Sequence, residues 1–264
     1  MEVIDQILLK IYKILDRGVE FLKHITRLEI MVKINEMSRK IHSSLIVLAI
    51  IFVAIFYIGL AIQFGSGKHI TYVVMSILGL FILSYLAKDF HGACESLISA
   101  NRTTLSNNAI LRFSAITSLL VAAILFLGSL ASFFTGEISD SIMYLFYALL
   151  LYMSAGTLFN PSLININVSS DSSSGEDFIT IFSSGLKTFV YFERIISSLL
   201  ILTGIIKIIE IIIADYIPIL TAGPWALGFI AGGIGFPLVA YLVFTILWFV
   251  NSLLLAILSL RRSN

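Results

Sequence analysis

Charge is what this sequence has least of: only 12% of its 264 residues are Asp, Glu, Lys or Arg. A soluble domain carries about twice that fraction, so an ordinary soluble fold is excluded. Cysteine is nearly absent as well. Cys94 stands alone, which rules out an intrachain disulfide and a thiolate cluster for zinc or iron–sulfur and leaves it the role of a small packing residue. The four histidines, His24, His42, His69 and His91, have no metal-ligand spacing. His91 lies near Asp89 and Glu95, and that trio reads as a solvated loop before it reads as a cation site. His-Glu-x-x-His, Gly-x-x-x-x-Gly-Lys-Ser/Thr and Gly-x-Ser-x-Gly are all missing, and with them the common zinc, phosphate and nucleophile-elbow chemistries. The expectation is therefore a protein that is not an enzyme, with no catalytic, cofactor-binding or metal-binding residue and no cofactor. A cleavable leader is not expected, because charges break up the first apolar stretch.

What the sequence has in abundance is apolar length. Ser44–Phe64, Ile70–Ala87, Phe113–Phe134 and Ile142–Phe159 carry no charge, Ile195–Ile206 is a shorter fifth block, and Tyr216–Leu260 is uncharged over 45 residues. A spanning helix needs about twenty mainly apolar residues. The fold class is accordingly an all-α polytopic membrane protein. It has six transmembrane helices arranged as three hairpins, amphipathic cytoplasmic helices, and a re-entrant segment before the last span.

Basic residues mark the cytoplasmic side of short loops. Eight of the seventeen Lys and Arg precede Ser43. Placing both termini inside puts fifteen of the seventeen there and leaves Lys68 and Lys207 as exceptions. The expected location is an integral membrane one, in a bacterial inner membrane, with both termini cytoplasmic. Residues 1–42 form a cytoplasmic or membrane-surface amphipathic region, and residues 43–264 a six-span domain with cytoplasmic loops 88–112 and 160–194. In the first region Ile4, Leu8, Ile11, Leu15, Leu22 and Ile25 follow a helical seam interrupted at Gly18. Lys10, Lys13, Arg17, Lys23 and Arg27 lie off that seam and are candidates for contact with anionic headgroups. A short coiled coil and packing beneath the spans are the other readings.

Similar phrases open the odd-numbered spans at Ser43–Val47, Thr117–Val121 and Ser197–Ile201, which suggests a triplicated unit or a chance recurrence. A helix is expected around Gly92–Ala100, Asn107 and Asn108 are candidate caps for the third span, 163–168 is a short extended piece, and Ser174 with Asp177, or Ser173 with Glu176, is a helix start.

Two features in the last third are less ordinary. Lys207 and Glu210 share one helix face deep in a span, and Asp215 follows them. The segment 216–237 holds Pro218, Pro224, Pro237 and the glycines Gly232, Gly233 and Gly235, which predicts broken helix lining a cavity or capping the outer surface. Asn251 lies in the final span. Lys207, Glu210, Asp215, Gly232, Gly233, Gly235 and Asn251 are thus the candidate pathway or gating residues. The expected function is a non-catalytic subunit of a homo- or hetero-oligomeric membrane assembly. The alternative is an ion channel or small-solute transporter with its pathway near Lys207, Glu210 and 216–237. A lipid-directed enzyme is a third class, with no acid/base set to support it. The expected partners are the lipid bilayer and either more copies of this chain or another membrane protein, and not nucleic acid.

Overall fold

The structure, a computed structural model, describes residues 13, 17–136, 138–169, 174–214 and 219–262. Its elements in order are α1 (17–25), α2 (Leu28–Phe64), α3 (Lys68–Ala100), β1 (Thr103–Leu105), α4 (Ala109–Phe134), α5 (Ile138–Phe159), a 3₁₀ turn (Pro161–Ile164), β2 (Ile166–Val168), α6 (Ser174–Tyr191), α7 (Glu193–Ile213) and α8 (Ile219–Arg262). Among the described residues six helices are long and apolar enough to cross a membrane. Lys10, Ser173 and Asp215 lie outside the described residues.

The helix ends follow local chemistry. Gly65 and Gly136 adopt φ of 59° and 83°, just past α2 and α4. That left-handed backbone is open to glycine and ends a helix cleanly. The Asn107 Oδ1 accepts from the Ala109 N–H at 2.8 Å, so of the two asparagines it is Asn107 whose side chain caps α4.

Three expectations change. First, α2 runs unbroken through residues 42 and 43, where the surface region was expected to give way to the spans. Second, the helix expected around Gly92–Ala100 is present but is continuous with the second span, since α3 runs to Ala100, and the non-helical link is 101–108. Third, the segment expected to be broken or re-entrant is helical from Ile219 onward, with Pro224 and Pro237 inside α8. The excess length of the last apolar block is absorbed as extra helix: 44 residues at 1.5 Å each reach about 66 Å.

The chain forms two compact units, 1–34 with 102–188 and 35–101 with 189–264. In the first, Ser129 on α4 and Ser141 on α5 each donate to the other's backbone carbonyl at 2.8 Å. Tyr152 and Asn160 donate to the carbonyls of Ile25 and Thr26, where α1 ends. β1 and β2 pair in parallel, Thr103 opposite Ile166 and Leu105 opposite Val168. One face of α6 clamps this pair. Asp177 accepts from the Ser106 N–H at 2.7 Å and from its hydroxyl. Thr180 donates to the Thr104 carbonyl at 2.6 Å, and Lys187 Nζ donates to Thr103 Oγ1 at 3.0 Å and to the Asn165 carbonyl at 3.2 Å. Lys187 is fully buried, and burial pushes its ammonium down to about 8.

In the second unit the core is apolar: Val53, Phe56 and Leu60 of α2 pack with Ile201, Ile205 and Ile208 of α7 and Ile230 and Ile234 of α8. Glycine sets the approach of α7 to α8. A Cβ at Gly204 would lie 2.7 Å from the Ala226 carbonyl oxygen, and one at Gly233 would lie 2.8 Å from the Ile201 nitrogen. Only a residue without a side chain lets the two backbones come this close.

Candidate functional site

Four helix segments of the second unit bring a connected set of polar groups together. His42 is on α2, His91 and Cys94 on α3, and Glu193, Ser197 and Ser198 on α7, with the Gly233–Pro237 turn of α8 beside them. His42, His91, Glu193, Ser197 and Ser198 are all buried. His91 Nδ1 and Glu193 Oε1 are 2.7 Å apart, and the two histidines face each other through their Nε2 atoms at 3.1 Å. His42 Nδ1 then meets Ser198 Oγ at 3.2 Å and Ser197 Oγ at 3.4 Å. The result is a continuous hydrogen-bonded line from carboxylate through two imidazoles to two hydroxyls.

The local sequence explains each position. His42 sits at the basic edge of the first apolar block, His91 one turn beyond the end of the second, and Glu193 at the first residue of α7. A carboxylate at a helix start is favoured by the positive end of the helix dipole. Pro237 has no N–H, so the Gly233 carbonyl four residues earlier loses its helical donor. Ser197 Oγ supplies the replacement, donating to that carbonyl at 2.5 Å. This lets α8 stay helical through Pro237. Cys94 Sγ lies 3.7 Å from the Pro237 carbonyl, packed in the wall rather than exposed as a thiol.

A ladder of alternating charge leads from the buried carboxylate outward. Arg194 Nε is 3.6 Å from Glu193 Oε1, Arg194 Nη1 is 2.9 Å from Glu95 Oε1, and Arg39 Nη2 is 3.1 Å from the same Glu95 oxygen. Side-chain exposure rises along it, from 4% at Glu193 through 11% at Arg194 to 53% and 58% at Glu95 and Arg39. Glu193 Oε2 has no hydrogen-bond donor. A buried carboxylate oxygen left without a donor carries a desolvation cost. Burial, with Glu95 adding to it, raises the Tyr191 phenol above its ordinary range. Among the described residues no group of three or more His, Cys, Asp and Glu is arranged to hold a metal ion.

His91 was expected in a solvated loop with Asp89 and Glu95. Instead α3 carries it into the core, where its partners are His42 and Glu193 rather than its sequence neighbours. The residues singled out from the sequence lie elsewhere. Lys207 Nζ and Glu210 Oε2 pair at 2.7 Å, with 35% and 48% of their side chains exposed on α7. Gly233 is buried against α7, Gly235 lies near Leu83, and Gly232 has open space around it. Asn251 is buried and its Nδ2 finds no acceptor. Lys13, Arg17, Lys23 and Arg27 are exposed, as is Phe21 between them.

No protein-family model matches this sequence, and no curated protein or solved structure is similar to it.

Proposed function

We propose that this is a non-catalytic multi-pass membrane protein that conducts or transports ions or small solutes in a proton-linked way. The observation that carries the reading is the buried line His42–His91–Glu193. Ionisable groups packed inside an apolar helical unit are costly, and this line joins three different helices that are candidates to cross the membrane. The charge ladder to Arg39 links it to one end of the unit. The placement of basic residues supports an orientation with both termini in the cytoplasm, and thus a site near the inner face of a bacterial inner membrane. The pathway moves from the Lys207–Glu210 region, where the sequence suggested it, to this line.

The test is proton flux into liposomes holding the pure protein, read with an enclosed pH dye under an imposed pH gradient and an imposed potential. Flux above that of empty liposomes, lost in Glu193→Gln and in His91→Gln, is expected. Flux equal to empty liposomes under both driving forces, or undiminished in both variants, refutes the reading.

A second reading, a subunit of a homo- or hetero-oligomeric assembly, is favoured by Lys207 and Glu210. An ion pair left part-exposed on a candidate spanning helix is better accommodated against a partner helix than against lipid. A defined stoichiometric partner or oligomer after native purification, lost on Glu210→Leu, supports it.

A further inference from the structure

The hydrogen bonds at the site fix how many protons it holds. A hydroxyl has one proton to donate, and a neutral imidazole has one N–H and one bare nitrogen. Ser197 donates to the Gly233 carbonyl at 2.5 Å and Ser198 to the Arg194 carbonyl at 2.7 Å. With both protons engaged, each serine can only accept from His42, so His42 Nδ1 carries the hydrogen. A neutral His42 then has a bare Nε2, and His91 Nε2 must donate to it across the 3.1 Å contact. That leaves the 2.7 Å contact between His91 Nδ1 and Glu193 Oε1, which needs one proton of its own. It resides on His91 as an imidazolium facing a carboxylate, or on Glu193 as an acid facing a neutral imidazole.

We infer that the His42–His91–Glu193 line is a binding site for one exchangeable proton, whose release reverses the His91–His42 and His42–Ser198 hydrogen bonds and is gated by rotation of the Ser198 hydroxyl. This rests on the proton-linked reading above and deepens it. In the loaded state the donors run from His91 Nε2 to His42 Nε2 and from His42 Nδ1 to the serines, with one proton between His91 Nδ1 and Glu193. In the released state Ser198 turns from the Arg194 carbonyl and donates to His42 Nδ1. His42 Nε2 donates to His91 Nε2, and His91 Nδ1 donates to the Glu193 carboxylate. The line holds three protons when loaded and two when released: the His91 Nε2 proton passes to His42 Nε2 and the His42 Nδ1 proton departs, so two N–H bonds break, one forms, and one proton leaves to water.

The two serines have unequal roles. The Arg194 carbonyl keeps its helical partner, the backbone N–H of Ser198 four residues on, when the Ser198 hydroxyl turns away. The Gly233 carbonyl has no such partner, because the residue four positions on is Pro237. Ser197 is therefore held as an acceptor and Ser198 is the one free to switch. The charged groups facing the line balance the released state. Arg194 at 3.6 Å and Arg39 offset the Glu193 and Glu95 carboxylates, giving a net charge of zero released and plus one loaded. Cys94 faces the Pro237 carbonyl instead of the line.

The test is a pH titration of the full-length protein in nanodiscs with ¹⁵N-histidine NMR, which distinguishes N–H from bare nitrogen at each ring. On raising the pH, His42 is expected to change from the Nδ1–H to the Nε2–H tautomer as one proton per chain is released. Ser198→Ala removes the switching donor, so His42 stays Nδ1–H and the coupled step is lost, while Ser198→Thr retains it. Pro237→Ala restores an N–H for the Gly233 carbonyl and frees Ser197 as a second donor. It should favour release by about tenfold, moving the midpoint about one pH unit lower. A His42 tautomer that does not change across the wild-type titration overturns the inference, as does an unaltered switch in Ser198→Ala. The titration counts protons whether or not any cross the bilayer, so a negative flux result and a fixed tautomer are separate failures.

Discussion

Gly232 and Gly233 are neighbours in α8, and replacing each by alanine should move stability in opposite directions. At Gly233 the new methyl would sit 2.8 Å from both the nitrogen and Cγ1 of Ile201 and 2.9 Å from the Ser197 carbonyl oxygen. Two of these three atoms are α7 backbone and cannot rotate away. To reach an ordinary contact near 3.4 Å, the helices must part by roughly 0.6 Å, which also loosens the packing of Ile201 and Ile234. Overpacking of this kind costs about 1–3 kcal/mol. At Gly232 nothing lies within 4 Å, so the methyl is free, and alanine in place of glycine in a helix stabilises by about 0.5–1 kcal/mol. The two variants should therefore differ by roughly 1.5–4 kcal/mol. Reversible unfolding in mixed micelles of mild and denaturing detergent, followed by circular dichroism, measures the difference. A Gly233→Ala protein as stable as Gly232→Ala would refute the close α7–α8 contact, and with it the reason Ser197 can reach the Gly233 carbonyl.

Two further outcomes concern the first unit. Lys187 has an ordinary pKa of 10.5, lowered to about 8 by burial, so between those pH values the unfolded chain binds more protons than the folded one and stability rises with pH. The full penalty, about 3 kcal/mol, applies below pH 8 and disappears as the pH approaches 10.5, so Lys187→Met should flatten that rise in a comparison of the two unfolding free energies at matched pH. Ser129 and Ser141 each donate to the other's backbone carbonyl across α4 and α5, an acceptor that alanine leaves in place, so each single change to alanine should cost about 0.5–1.5 kcal/mol and the two losses should nearly add. Either single variant unfolding at wild-type stability would contradict that pairing.

The apolar helices were legible in the sequence because bilayer thickness converts directly into a run length, and charge-free blocks such as Ser44–Phe64 and Phe113–Phe134 are hard to read otherwise. The site was not legible, because its groups are far apart in the chain. His42 and His91 are 49 residues apart, and His91 and Glu193 are 102 apart. Each has an unremarkable local setting, and sequence spacing ranks such residues by their neighbours rather than by their partners. Asp89 and Glu95 drew attention to His91, while the carboxylate that reaches it is Glu193.

One signal was present and carried more information than its use as a helix breaker allowed. A proline inside an apolar helix leaves a carbonyl four residues earlier without its helical donor, and in a bilayer a side chain of a neighbouring helix is one way to supply another. For Pro237 the orphan is Gly233, whose missing side chain also admits a close neighbour. A short hydroxyl on a helix that packs against glycine is suited to supply that donor. The paired serines Ser197 and Ser198 on α7 fit that description, and they stand one turn from Glu193 and Arg194. Read in this way, Pro237 leads through the Gly233 carbonyl to Ser197, from Ser197 to His42, and on to His91 and Glu193. The same geometry that keeps α8 helical thus fixes the hydrogen-bond direction at one end of the buried line.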